Sequence, residues 1–182
     1  MKKLMLIGDS IRLGYQEEVT NLLEGEFEVW GSPDNGRFAK YTLNELERWF
    51  AECPDPDVIH WNNGLWDSAV VCKEDGAFTP TDEYLRYMSL ILRELRKKTD
   101  KIIFATTTPV REGSLNQHLE YIDRLNDAII PFMEKENIVI NDLHNLVRPR
   151  KDELICEDKI HLNDEGKKVC GAAVAEAVRK MF

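Results

Sequence analysis

Five short apolar runs, each followed by a segment with helical spacing or by turn formers, constrain this chain more than any other feature. They lie at residues 3–7, 27–30, 57–63, 101–107 and 138–141. Runs of this length suit strands, and the run at 101–107 is β-branched and buried in character. Strands alternating with helices predict a parallel sheet covered on both faces. The expected fold is therefore a three-layer α/β/α arrangement, a flavodoxin-like five-stranded parallel sheet in one domain spanning residues 1–182.

The helical segments follow from the same periodicity. One runs from Gly14 to about Glu24, with Tyr15, Val19, Leu22 and Leu23 on one face, and Gly25 ends it. A second starts at Thr42-Leu43-Asn44-Glu45, which has the spacing of a capping box, and runs to about Glu52. A third spans about 82–98, with Leu85, Met88, Leu92 and Leu95 facing inward. Residues 116–135 form a fourth, in which Pro131 predicts a kink or an early end. Residues 142–157 read mostly as loop, and residues 164–181 as a final alanine-rich helix.

A chain of 182 residues buries about 70% of its unfolded surface, enough to stand without disulfides or metal. The four cysteines (Cys53, Cys72, Cys156 and Cys170) have no Cys-x-x-Cys spacing and read as free thiols, mostly packed. The apolar run after Lys2 and Lys3 stops too soon for a signal peptide, and cleavage there would remove Ser10, so a cytoplasmic protein is expected. A net charge of −9 argues against nucleic acid or an anionic membrane as the main partner. His60, His118 and His144 form no metal-ligand spacing, so neither a metal nor another cofactor is expected.

Chemistry concentrates where the predicted strands end. Gly8-Asp9-Ser10 follows the first, Asn35-Gly36-Arg37-Phe38 the second, Asn62-Asn63-Gly64-Leu65-Trp66-Asp67 the third, and Asp158-Lys159-Ile160-His161 lies beyond the fifth. In open α/β sheets this carboxyl edge is where ligands bind. Gly-Asp-Ser alone can simply end a strand or cap a helix. Its pairing with an aspartate and a histidine three residues apart names a nucleophile, a base and a residue to orient the base.

These blocks resemble those of the SGNH, or GDSL, hydrolase family over nearly the whole chain. The resemblance implies that Ser10 is the nucleophile, that His161 relays its proton and that Asp158 orients the imidazole. It implies an oxyanion hole from Ser10 and from Gly36, with Gly31 the competing glycine. The third block departs from the family pattern Gly-x-Asn-Asp, because Trp66 stands where the oxyanion asparagine belongs. Losing one such donor costs roughly 2.7–4 kcal/mol where it has been removed. Trp66 through its indole N–H, Asn62 or Asn63 could replace it, with Trp66 or Asn62 preferred. Strand alternation puts the two asparagines on opposite faces, so at most one points at the site. Alternatively Trp66 is a pocket wall and both asparagines serve the strand end.

Arg12, Asn63 and Asp67 are candidate substrate-binding residues; Arg12 could hold a carboxylate or pair with Asp67. The implied activity is a serine esterase acting on a small ester, with a slight lean to acetyl groups on a carbohydrate. A non-catalytic small-molecule binding protein on the same fold is the alternative, followed by a phosphate-binding doubly wound protein. Against the last, the loop after the first strand lacks both Gly-x-Gly-x-x-Gly and Gly-x-x-x-x-Gly-Lys.

Overall fold

In the computed structural model, which describes Met1–Phe182, all five apolar runs become parallel strands of one sheet. They are β1 (Lys2–Ile7), β2 (Phe27–Gly31), β3 (Val58–Trp61), β4 (Ile102–Ala105) and β5 (Val139–Asn141). Their order is β2-β1-β3-β4-β5. Leu4 pairs with Val58 and Ile7 with Trp61, which brings the carboxyl ends of β1 and β3 level. The chain reverses its winding between these two strands, and a crevice opens beyond their ends at such a switch point.

Seven helices join the strands: α1 (Ser10–Leu22), α2 (Ala39–Glu52), α3 (Thr81–Leu95), α4 (Leu119–Lys135), α5 (Leu143–Val147), α6 (Lys151–Leu154) and α7 (Asp164–Arg179). Alternation along the strands sends side chains to two cores. Leu4, Leu6 and Val58 pack with Ile11, Tyr15 and Val19 of α1 and with Val174 and Val178 of α7. Met5, Ile7, Ile59 and Trp61 pack with Leu46 and Trp49 of α2, Met88 and Leu92 of α3, and Ile129 and Met133 of α4. Both faces of the sheet are covered, so β1, β3 and β4 read as continuous apolar runs.

Several element boundaries differ from the sequence reading. α1 begins at Ser10 and not Gly14, because the Asp9 side chain accepts the Ile11 N–H and caps the helix. α2 begins at Ala39, three residues before the supposed capping box. Its first N–H is taken by the Asp67 carboxylate at 3.0 and 3.2 Å, while Thr42 donates its hydroxyl to the Gly36 carbonyl at 2.8 Å. α4 begins at Leu119 and continues through Pro131. Residues 142–157, expected as loop, hold α5, a 3₁₀ turn and α6, because Leu143, Val147 and Leu154 bury themselves in the α1–α7 core. No helix is long and apolar enough to cross a membrane.

Candidate active site

Ser10 is the first residue of α1, at the positive end of the helix dipole and three residues beyond the end of β1, after Gly8 and Asp9. That turn is held from several sides. Arg12, fully buried, donates to the carbonyls of Gly8 at 3.4 Å and Asp34 at 2.8 Å and to the Gln16 side chain. Gly36 donates its N–H to the Gly8 carbonyl at 2.9 Å. A Cβ at Gly8 would run into the Asn62 amide and the Arg12 Cβ, so glycine is required by close approach. Asp9 is wholly buried; burial pushes its carboxyl up, against the opposing pull of the Ile11 N–H and the Arg12 charge.

The partner of Ser10 arrives from 151 residues away. Between α6 and α7, Lys159 adopts a left-handed φ of 70°, which folds Asp158-Lys159-Ile160-His161 into a tight turn. Asp158 Oδ1 accepts the N–H groups of Ile160 and His161, both at 3.0 Å, and its Oδ2 meets His161 Nδ1 at 2.6 Å. His161 Nε2 stands 2.9 Å from Ser10 Oγ. Burial alone would raise the Asp158 carboxyl, but the Ile160 N–H and the His161 imidazole hold it below the usual carboxylate range. The carboxylate is therefore ionised at neutral pH, and the imidazole carries its proton on Nδ1, leaving Nε2 as acceptor for the serine hydroxyl. Arg111 and Lys159 fasten this loop to the one after β4, through Arg111 N–H to the Lys159 carbonyl at 2.9 Å and Lys159 Nζ to the Gly113 carbonyl at 3.1 Å.

The structure separates the expected oxyanion donors. The Ser10 N–H, in the first turn of α1, has no acceptor within the protein. The Gly36 N–H is engaged by Gly8, which corrects the expectation of a free donor there; its Cα lies so close to Gly8 that a Cβ would stand 2.6 Å from the Gly8 oxygen. Gly31, the competing glycine, is instead the last residue of β2, paired with Leu6. Asn62 lies beside Gly8 and Asp9; its oxygen accepts a long 3.5 Å bond from the Tyr15 hydroxyl, and its amide donates toward the Asp9 carboxyl, helping to hold that group down against burial. Trp66 is 40% exposed and its indole N–H has no partner within the protein.

The candidate substrate-binding residues all prove to have internal partners. Asn63 points to the opposite face from Asn62, accepting from Trp61 Nε1 at 2.7 Å and donating to Thr42 and the Arg37 carbonyl. Arg12 does not pair with Asp67. Asp67 instead binds the Ala39 N–H and the Thr79 hydroxyl, and burial pushes its carboxyl up to about 7. All three are fully buried. The sequence reading missed the tie from Arg111 to the loop that carries His161 and gave no role to His144. His144 is buried against the Thr107 carbonyl at 2.8 Å and Asp123 at 3.1 Å, where it pins the start of α5 to the end of β4. All four cysteines are free, Cys53 and Cys170 buried and Cys72 exposed.

Sheet order, the serine at the head of α1 and the returning Asp-x-x-His turn together define the SGNH/GDSL hydrolase fold. Solved structures agree. The chain superposes on a lipase/acylhydrolase from Enterococcus faecalis with a TM-score of 0.84 at 19% identity, over 99% of this chain and 96% of that one. An acetyl xylan esterase matches with a TM-score of 0.77 at 19% identity, over 97% and 99% of the two chains. A GDSL-like lipase from Bacteroides thetaiotaomicron matches at 0.77 and 16% identity, over 100% and 89%. No family model and no curated protein matches the sequence.

Proposed function

We propose that the protein is a serine esterase that cleaves a small ester through an acyl-serine intermediate. The observation that carries this reading is the unbroken relay from Asp158 through His161 to Ser10, at 2.6 and 2.9 Å. Ser10 Oγ attacks the ester carbonyl as its proton passes to His161 Nε2. Asp158 stabilises the imidazolium that results. The Ser10 N–H and the Asn62 amide receive the oxyanion. Collapse of the tetrahedral adduct expels the alcohol with the proton from His161, and a water activated by the same imidazole then releases the acid. A positioned base of this kind typically contributes about 10²- to 10⁴-fold. The fold neighbours named as lipases and acetyl xylan esterases support an ester bond as the target.

The test is hydrolysis of p-nitrophenyl acetate by the wild type, Ser10→Ala and His161→Ala. The reading expects clear wild-type turnover and a loss of at least about a hundredfold in both folded variants. A second reading, a binding protein without turnover, draws on the engaged Gly36 N–H and on Trp66 at the third block. It expects all three proteins to be equally inert.

A further inference from the structure

A pocket of about 270 Å³ opens at the carboxyl edge of the sheet, between the loops that follow β2, β3 and β4. Phe38, Trp66, Val71 and Phe78 form most of its wall, joined by Asn116 and Gln117, and no charged residue lines it. Phe38 and Phe78 pack with ring centres 5.3 Å apart, yet Phe78 is 50% exposed and Val71 64%. Clustered apolar side chains left open to water mark an interaction site more often than an accident of the surface. Backbone bonds hold the wall in shape, with Phe78 N–H to the Ala69 carbonyl at 2.7 Å and Val70 N–H to the Asn116 carbonyl at 2.8 Å. The pocket is thus preformed.

Two of its segments also touch the nucleophile turn. Gly36, two residues before Phe38, is bonded to Gly8, two residues before Ser10. At about 3.5 Å per residue, the Phe38 backbone therefore stands within about 17 Å of Ser10. Asn62, four residues before Trp66, contacts Gly8 from the other side. A cavity of about 150 Å³ holds benzene, so this one accommodates about one to two rings or a chain of similar volume. A sugar is a poor occupant, because two amides cannot satisfy a ring of hydroxyls and each one desolvated without a partner is penalised.

Resting on the esterase reading, we infer that this pocket receives an apolar, ring-sized group of the ester and sets the enzyme's preference for it over acetylated sugars. The test compares kcat/KM for ethyl acetate, 2-naphthyl acetate (apolar group on the alcohol) and ethyl naphthylacetate (apolar group on the acid) in the wild type, Phe78→Ala and Val71→Asp. Both substitutions lie at exposed positions outside the relay. The inference expects at least one naphthyl ester to lose about tenfold or more in each variant while ethyl acetate changes less than twofold, and the ester affected identifies the side that enters. Equal losses on all three esters, or none, overturn it while leaving the esterase reading standing. Binding of 2-naphthyl acetate to Ser10→Ala, followed by tryptophan fluorescence, tests the pocket without turnover. There, Phe78→Ala weakens binding at least about tenfold if the pocket is the site, even should the wild type hydrolyse nothing; unchanged binding contradicts the inference.

Discussion

Ser10 and His161 meet at 2.9 Å, but the regions that present them are built in opposite ways. The serine stands on a turn enclosed by Arg12, Asn62 and Gly36, where every neighbour belongs to the core or touches it. The histidine stands on a half-exposed loop whose shape comes from its own Asp158 turn and from two ties to residues 111–113, one through the Lys159 carbonyl and one through its ammonium. Packing locates Ser10, and local hydrogen bonding locates His161. Damage to the first region should therefore appear in stability as well as turnover, and damage to the second mainly in turnover.

The largest separation is expected from Asp158→Asn. It removes the charge that orients His161 without opening a cavity, so kcat should fall by about 10²- to 10⁴-fold while the melting temperature moves little, as thermal denaturation and steady-state kinetics would show. Asn62→Ala should follow, with kcat lower by about 10²- to 10³-fold if its amide receives the oxyanion. Trp66→Phe, which keeps the ring but lacks the N–H, should leave kcat for ethyl acetate nearly unchanged; the opposite pattern would transfer the donor role to Trp66.

Gly8→Ala makes the complementary break. The added methyl meets Asn62 and Arg12, and overpacking of this kind costs typically 1–3 kcal/mol, measurable as a lower urea midpoint together with impaired turnover. Arg12→Met should cost about 1–3 kcal/mol by the same assay, because it strips hydrogen-bond donors from the Gly8 and Asp34 carbonyls.

The smallest effect is a pH dependence set by His60 and Asp67. His60 is buried, accepts from Asn141 and is held down to about 3 by burial, against 6.5 when unfolded. Between those values the unfolded chain binds the proton and the folded one does not, so His60 makes stability fall as pH drops. Asp67 acts in reverse. Its folded value of about 7 exceeds the unfolded 3.8, so the folded state takes the proton first and stability rises as pH drops through that window. The two oppose one another between about pH 4 and 6.5. Asp67→Asn should expose the loss from His60, steepening the decline by up to about 1.4 kcal/mol per pH unit. Parallel pH–stability curves for variant and wild type would show that Asp67 does not titrate there.

Much of this architecture is legible from the sequence because it is local. The five strands follow from their apolar runs, and alternation correctly sends Asn62 and Asn63 to opposite faces. Asp9 also carries a local signal for the start of α1, obscured by the glycines on either side at positions 8 and 14. What escapes the sequence is tertiary. α2 is capped by Asp67 from 28 residues away, and the Gly36 N–H is claimed by Gly8. No pattern around Thr42 or Gly36 announces either bond. Arg12 likewise reads as a partner for a substrate carboxylate or for Asp67 until its burial and its carbonyl partners are seen.

The most direct test of the relay is covalent labelling by a fluorophosphonate, which reacts with an activated serine whatever the natural ester. The account predicts a single adduct, mapped by mass spectrometry to Ser10, forming at least about a hundredfold more slowly in His161→Ala. No adduct on the folded wild-type protein, or one that forms at Ser10 just as fast without His161, would contradict it.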